Sequence, residues 1–306
     1  MAITSQNEGE AIVKLVAGEA PAQILRSLVL GKLVNRDYEK TVAQDGDAVN
    51  IPNADATQPP ARPAIVLKYF QAPPFQIPDV TKVLAVPDLL KAHMQPAVEA
   101  IVKRIETDIA TLYSNLTLNT AVGSAAPITE AVIDSAAASL LRAEVPPRDR
   151  KFLVVNPGTF SAMRQISCFA EFQTAGGPGG ANGIIEADIA GAGPMGANGK
   201  IKDFLVFCSQ YIQKPSSTTY NMAFARDALG LAIRRLPKPL PGTGPVVEYA
   251  EMGNFGVRIV LSYVPNSLVQ QFTVDCLCGC AVIRNNFGVP VQSSNSIVHK
   301  GCIVGL

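Results

Sequence analysis

Three groups of residues in this 306-residue chain have types and spacings that chemistry could use. The run Gly191-Ala-Gly193-Pro-Met-Gly196 matches G-x-G-x-x-G, whose glycines let backbone amides approach a dinucleotide pyrophosphate. That pattern works where it leaves a strand and opens a helix. Here Ala197-Asn-Gly-Lys forms another turn, and the preceding residues are already glycine-rich, so Ala175 to Gly199 reads as one surface loop. Cys276, Cys278 and Cys280 alternate, which places all three on one face of a strand. A zinc site needs a second cysteine pair or nearby histidines, and His93 and His299 are the only histidines in the chain. Small apolar strand residues are the better reading, because free cysteine is readily buried. No G-x-S-x-G serine and no H-E-x-x-H helix accompanies those histidines. The carboxylates Glu99, Glu106 and Asp108 fall on the polar side of a long helical pattern, where water satisfies them. The sequence therefore offers no catalytic, cofactor-binding or metal-binding residue, and no cofactor is expected.

Composition narrows the classes further. Hydrophobic residues make up 48% and charged residues 17% of the chain. With a mean hydropathy of +0.21, this describes a folded and rather apolar protein. Lys and Arg number 26 against 25 Asp and Glu, a net charge of +1 that leaves no electrostatic footprint for tight nucleic-acid binding. The acidic start MAITSQNEGE is unlike a secretory signal, and no run approaches the roughly eighteen uncharged apolar residues of a membrane span. The six cysteines, three of them Cys168, Cys208 and Cys302, read as reduced cytosolic thiols rather than a disulfide framework.

The elements that would position these groups come in a distinctive order. Gly9 to Lys32 fits short helical pieces broken at Gly18 and Pro21, an N-terminal arm rather than a core element. From Tyr38 to Pro87 the chain is strand-like and punctuated by Pro52, Pro59, Pro60, Pro63, Pro73, Pro74, Pro78 and Pro87. Val49 and Ile51 alternate in a first strand, Ala64 to Phe70 makes a second, and PNADATQPPARP between them is a polar tip. Proline is confined to strand edges and ends, so the segment reads as a long two-stranded hairpin with no core of its own. It must pack on something else.

Asp88 is a candidate N-cap for a helix whose apolar residues Val98, Ile101, Val102, Ile105, Ile109, Leu112 and Leu116 recur at spacings of three and four, with Pro96 as a kink or start point. A second helix covers Thr129 to Ala143. Lys151 to Val155 reads as a buried strand, and Asn156-Pro157 caps a helix after it. Strands are predicted at Phe204 to Cys208, around Met222 to Phe224, at Val257 to Val264 and at Phe272 to Arg284, with a short helix over Asp227 to Arg235. Helices and strands mix without strict alternation, which is an α+β pattern.

This order of parts resembles the major capsid proteins of tailed double-stranded DNA bacteriophages, the Hong Kong 97 fold. The likeness is carried by VPPRDRKFLVVNPGTFSAMRQ from Val145 to Gln165, KIKDFLVFCSQ from Lys200 to Gln210, NMAFARDALGLAI from Asn221 to Ile233 and VDCLCGCAVIRNNFGVPV from Val274 to Val291. It implies an N-arm over residues 1–37, an extended E-loop with connecting strands over 38–87 and a spine helix of the peripheral domain over 88–120. An axial domain would occupy 121–245, and 246–306 would hold returning strands shared by both domains and a C-terminal tail.

By the same resemblance the chain would assemble with copies of itself as pentamers and hexamers of an icosahedral head, each hairpin lying across a neighbour. A portal, a separate scaffolding protein and in some cases decoration proteins would be partners, packaged DNA would be touched weakly, and the protein would reside in the virion capsid after assembly in the host cytoplasm. About forty residues precede the hairpin, too few for the long helical scaffolding segment of some relatives. Arg26, Arg36, Asp55, Arg62 and Lys68 are the candidate charges for contacts between subunits. Two other readings stand beside this one: an encapsulin-like cellular nanocompartment shell, and a nucleotide-dependent α/β enzyme using the glycine-rich loop.

Overall fold

A computed structural model describes residues 28–37, 48–50, 64–78, 87–117, 119–124, 126–166, 199–215, 217–234, 236–237, 245–252 and 255–294. Its elements in order are α1 (Leu30–Leu33), β1 (Ala48–Asn50), β2 (Ala64–Val66), β3 (Lys68–Gln71), β4 (Phe75–Pro78), α2 (Pro87–Thr111), β5 (Val122–Gly123) and α3 (Glu130–Arg142). There follow β6 (Lys151–Val155), α4 (Pro157–Met163), β7 (Gly199–Ile201), β8 (Phe204–Cys208), β9 (Thr218–Ala225), β10 (Leu229–Arg234), β11 (Val246–Met252), β12 (Phe255–Val264), β13 (Val269–Val282) and β14 (Gly288–Ser294). The chain divides into two compact units. One takes in the described parts of Met1–Lys32, Arg36–Glu106 and Gly230–Ala281, and the other those of Leu33–Asn35, Thr107–Leu229 and Val282–Leu306.

The first unit is organised by β13. Its six-stranded sheet runs β10-β13-β12-β11, with β3 and β4 both paired to β13 as well. β12 and β13 pair antiparallel from Arg258↔Asp275 to Val264↔Val269. Phe272, Val274, Cys276 and Cys278 are buried on one face, alternating with half-buried Thr273 and Leu277, so the period of two survives along the strand. Phe75 of β4 stacks on Phe272 with ring centroids 4.9 Å apart. α2 buries Val98, Ile101, Val102 and Ile105 of the stripe that the sequence predicts, and Ala97 beside them. Each such aliphatic side chain contributes about 1.5–3 kcal/mol when withdrawn from water.

Three expectations for these segments are corrected. The helix opens at Pro87 rather than after an Asp88 cap, because proline's missing N–H costs nothing in the first turn, and it continues through Pro96 to Thr111. Glu106 is not on a wet face but completely buried, because residues 29–31 supply partners that no local pattern reveals. Asp227 to Arg235 is not a helix: a 3-10 turn at Arg226–Ala228 leads into β10, whose pairing to β13 overrides local helical preference.

The second unit is built on a six-stranded sheet in the order β5-β14-β9-β6-β8-β7. β6 and β8 are parallel and in register from Lys151↔Phe204 to Val155↔Cys208. All five residues of β6 are buried, as a strand covered on both faces requires. Asn156 caps α4, its side-chain oxygen accepting from the Gly158 amide at 3.0 Å, with Pro157 in the first helical turn. Phe152 meets Phe207 edge-on and lies 5.9 Å from the Phe224 ring centroid, and Ile133, Ala136 and Leu140 form the buried stripe of α3.

One part of this core is polar. Asn221, fully buried, accepts from the Asn156 amide at 2.9 Å and donates to the Val291 carbonyl at 3.2 Å and the Ser293 hydroxyl at 2.9 Å. Ser293 in turn shares a hydrogen bond with Thr159 at 2.9 Å. Beside Ser293 in the ladder sits Thr219, whose buried hydroxyl has no protein partner among the described residues. Two substitutions should therefore move stability in opposite directions. Asn221→Ala strands the buried Asn156 amide and takes a donor from the Ser293 hydroxyl, and should lower unfolding free energy by about 3 kcal/mol, whereas the near-isosteric Thr219→Val should raise it by about 1 kcal/mol. Chemical denaturation of the two variants beside the parent checks both signs.

Candidate assembly interface

The hairpin expected from the sequence is present at its root. β1 and β2 pair antiparallel with Ala48↔Val66, Val49↔Ile65 and Asn50↔Ala64, while the tip, 51–63, lies outside the described residues. One residue beyond β2 the chain enters β3, which pairs along β13 from Lys68↔Cys278 to Gln71↔Asp275. The hairpin is thus an outgrowth of the first unit's sheet.

How that root sits is decided by backbone contact. A Cβ on Gly279 would lie 2.3 Å from the Val66 carbonyl oxygen and 2.9 Å from its carbon, so only glycine lets the strands approach this closely. The flanking Cys278 and Cys280 are the small side chains this crossing tolerates. Cys276 and Cys278 are buried and Cys280 half-buried, in accord with small apolar strand residues. Burial pushes the Cys208 thiol up, and the neighbouring Cys278 together with burial pushes Cys276 well up, which leaves both poor nucleophiles.

The other face of this region holds a charged cluster that sequence reasoning missed. Asp275, 2% exposed, receives a bidentate fork from Arg258, Nε to Oδ1 at 3.0 Å and Nη2 to Oδ2 at 2.5 Å. Arg258 Nη1 also donates to the Pro237 carbonyl at 2.7 Å. The Tyr69 hydroxyl lies 3.3 Å from Asp275 Oδ2 and 3.2 Å from Gln71 Oε1, and donates to one of the two. The Asp275 hydrogen bond raises the Arg258 pKa, and burial followed by the Asp275 charge raises that of Tyr69. The available signal was an acid inside the apolar run VDCLCGCAV, since a buried carboxylate demands a partner. Val66 and Tyr69, 53% and 55% exposed, leave apolar surface at the hairpin root.

Of the five charges proposed from the sequence, Arg26, Asp55 and Arg62 lie outside the described residues. Arg36 is half-buried just after Asn35, and Lys68 is exposed on β3. The G-x-G-x-x-G run and His299 also fall outside, and His93 belongs to α2. Among the described residues no group of three or more His, Cys, Asp or Glu side chains is placed to hold a metal, and no helix is long and apolar enough to cross a membrane.

No known family model matches the chain, and no curated protein is significantly similar to it. Solved structures are similar. A chain from Mycobacterium phage Che8 shares 18% identity with a TM-score of 0.56, over 88% of this chain and 91% of that one. The SrpI encapsulin of Synechococcus elongatus shares 12% identity with a TM-score of 0.54, over 82% of each chain. The capsid of Ralstonia phage GP4 shares 11% identity with a TM-score of 0.53, over 85% and 86%. The chain has the Hong Kong 97-type capsid fold, and its α+β architecture is the one its order of elements predicts.

Three outcomes follow from this geometry. Gly279→Ala should displace the hairpin root and cost about 1–3 kcal/mol by overpacking; hydrogen exchange should quicken at 64–66 and stay unchanged at 152–155. Asp275→Ala should cost about 3 kcal/mol, because Arg258 loses a partner in a largely dry site. Tyr69 should titrate above the ordinary tyrosine value of about 10, and Asp275→Asn should bring it back down. With the folded value raised, its contribution to stability is complete below the ordinary value and is lost as pH rises through the folded one. Phenolate absorbance, read as the difference from Tyr69→Phe, reports the midpoint.

Proposed function

We propose that this protein is the structural subunit of a closed icosahedral shell, the major capsid protein of a tailed phage, assembling as pentamers and hexamers around double-stranded DNA. The observation that carries the reading is the fold itself, with a hairpin root whose tip-bearing strands grow from a sheet already complete without them. The similar structures favour the same role, since they include a phage capsid and an encapsulin. On this reading the unit organised by β13 is the peripheral domain with E-loop and spine helix, and the unit around β6 is the axial domain. Arg26, Arg36, Asp55, Arg62 and Lys68 contribute rim charges that set register between copies. The protein acts without catalysis, with a scaffolding protein and portal as assembly partners and decoration proteins as later ones. It assembles in the host cytoplasm and remains in the virion. A net charge of +1 suits a container that must not grip its DNA.

The encapsulin similarity supports a second role on the same fold, a nanocompartment shell loaded with enzyme cargo. Electron microscopy of the purified chain, alone and co-expressed with a scaffolding partner, should show rings, sheets or shells. Persistent monomers under both conditions would sink the shell reading. Shells that close without scaffold and retain a protein cargo would select the nanocompartment.

A further inference from the structure

The geometry points to Glu106 as the residue that fixes where the N-terminal arm leaves the subunit, and therefore as a positioning residue for assembly; the second part rests on the shell reading. Its carboxylate is fully buried, yet it faces three backbone donors from a segment remote in sequence. Oε1 accepts from the Val29 amide at 2.8 Å and the Gly31 amide at 3.1 Å, and Oε2 accepts from the Leu30 amide at 3.0 Å. These amides open α1, a helix of four residues. A helix that short does not hold itself together, and its first amides have no partner within the helix.

The site is dry as well as polar. Leu28 and Leu30 are at most 2% exposed, the Leu30 and Gly31 amides are buried and the Val29 amide partly so, and the carboxylate is their acceptor. Burial raises the Glu106 pKa, while the three amides, and then the Lys32 charge, pull it the other way. Removing the acceptor therefore leaves two buried donors and one part-buried donor unpaired at once. The chemistry is specific: an ionised carboxylate only accepts, whereas glutamine presents an NH2 to one of these N–H groups and aspartate is one methylene short. Residues 29–31 are held through this carboxylate, and the arm expected from the sequence comes directly before them in the chain, so the carboxylate sets the arm's origin.

The test uses the full chain carrying Glu106→Gln, with hydrogen exchange, trypsin cleavage after exposed Lys32, and particle counting by electron microscopy. Exchange at the amides of 29–31 should quicken about tenfold or more and cleavage after Lys32 should accelerate, while exchange at 152–155 stays at the parental rate. Closed shells should give way to irregular or incomplete particles. Val29→Pro removes one donor while leaving Glu106 in place, and should loosen the same segment to a smaller degree should the glutamine variant fail to fold. A merely structural role predicts loss of stability with parental shell geometry from whatever protein folds. Parental protection at 29–31, or loosened amides with parental shells, would overturn the inference. A parent chain that forms no shells removes the shell reading, and the exchange result still decides whether Glu106 is the anchor.

Discussion

The first unit depends on a single strand. β13 is 14 residues long and pairs with β10, β12, β3 and β4, so the sheet exists only as long as that strand stays straight and narrow. A strand that serves so many partners cannot carry bulk wherever another segment passes over it. Gly279, flanked by Cys278 and Cys280, meets that requirement where β2 crosses, and Phe272 and Val274 supply volume earlier along the strand. The hairpin is therefore positioned by what β13 omits as much as by what it presents. Its own strands are short, and it borrows rigidity from a sheet whose ladder continues past it.

Three buried polar centres show a second common principle. Glu106, Asp275 and Asn221 each sit at 2% exposure or less, and each is satisfied by groups remote in sequence or on another strand. A satisfied buried network stabilises little relative to an apolar core, but a competing arrangement that leaves it unpaired is costly. Such groups select one packing among several of similar hydrophobic content. The centre at Glu106 holds residues 29–31, and that at Asp275 holds Tyr69 of β3, the strand next after the hairpin root.

Much of this was legible because the physics was local. Lys151 to Val155 is buried along its whole length, and Phe152 to Val155 reads as a continuous apolar run; Asn156-Pro157 caps a helix by contacts within three residues; the α2 stripe follows from periodicity alone. The failures were equally physical. Residues 229–234 carry a helix-compatible pattern, and only the open edge of β13 makes them a strand. Glu106 belongs to a polar face by spacing, and only residues 29–31 make it a core residue. Of the five charges chosen for contacts, Lys68 stands next to Tyr69 on β3 and Arg36 follows α1, while the cluster at the hairpin root is formed by Tyr69, Arg258 and Asp275.

By itself the sequence determined the kinds of elements, their order and the α+β class, because apolar periodicity, caps and proline positions act over a few residues at a time. It also determined that the segment from Tyr38 to Pro87 could not bury itself. The tertiary structure alone decided which strand that segment grows from, which glycine it crosses and which carboxylate holds residues 29–31. Those outcomes depend on donors, acceptors and free volume brought together from positions far apart, 206 residues in the Tyr69 to Asp275 contact, and no local pattern encodes them.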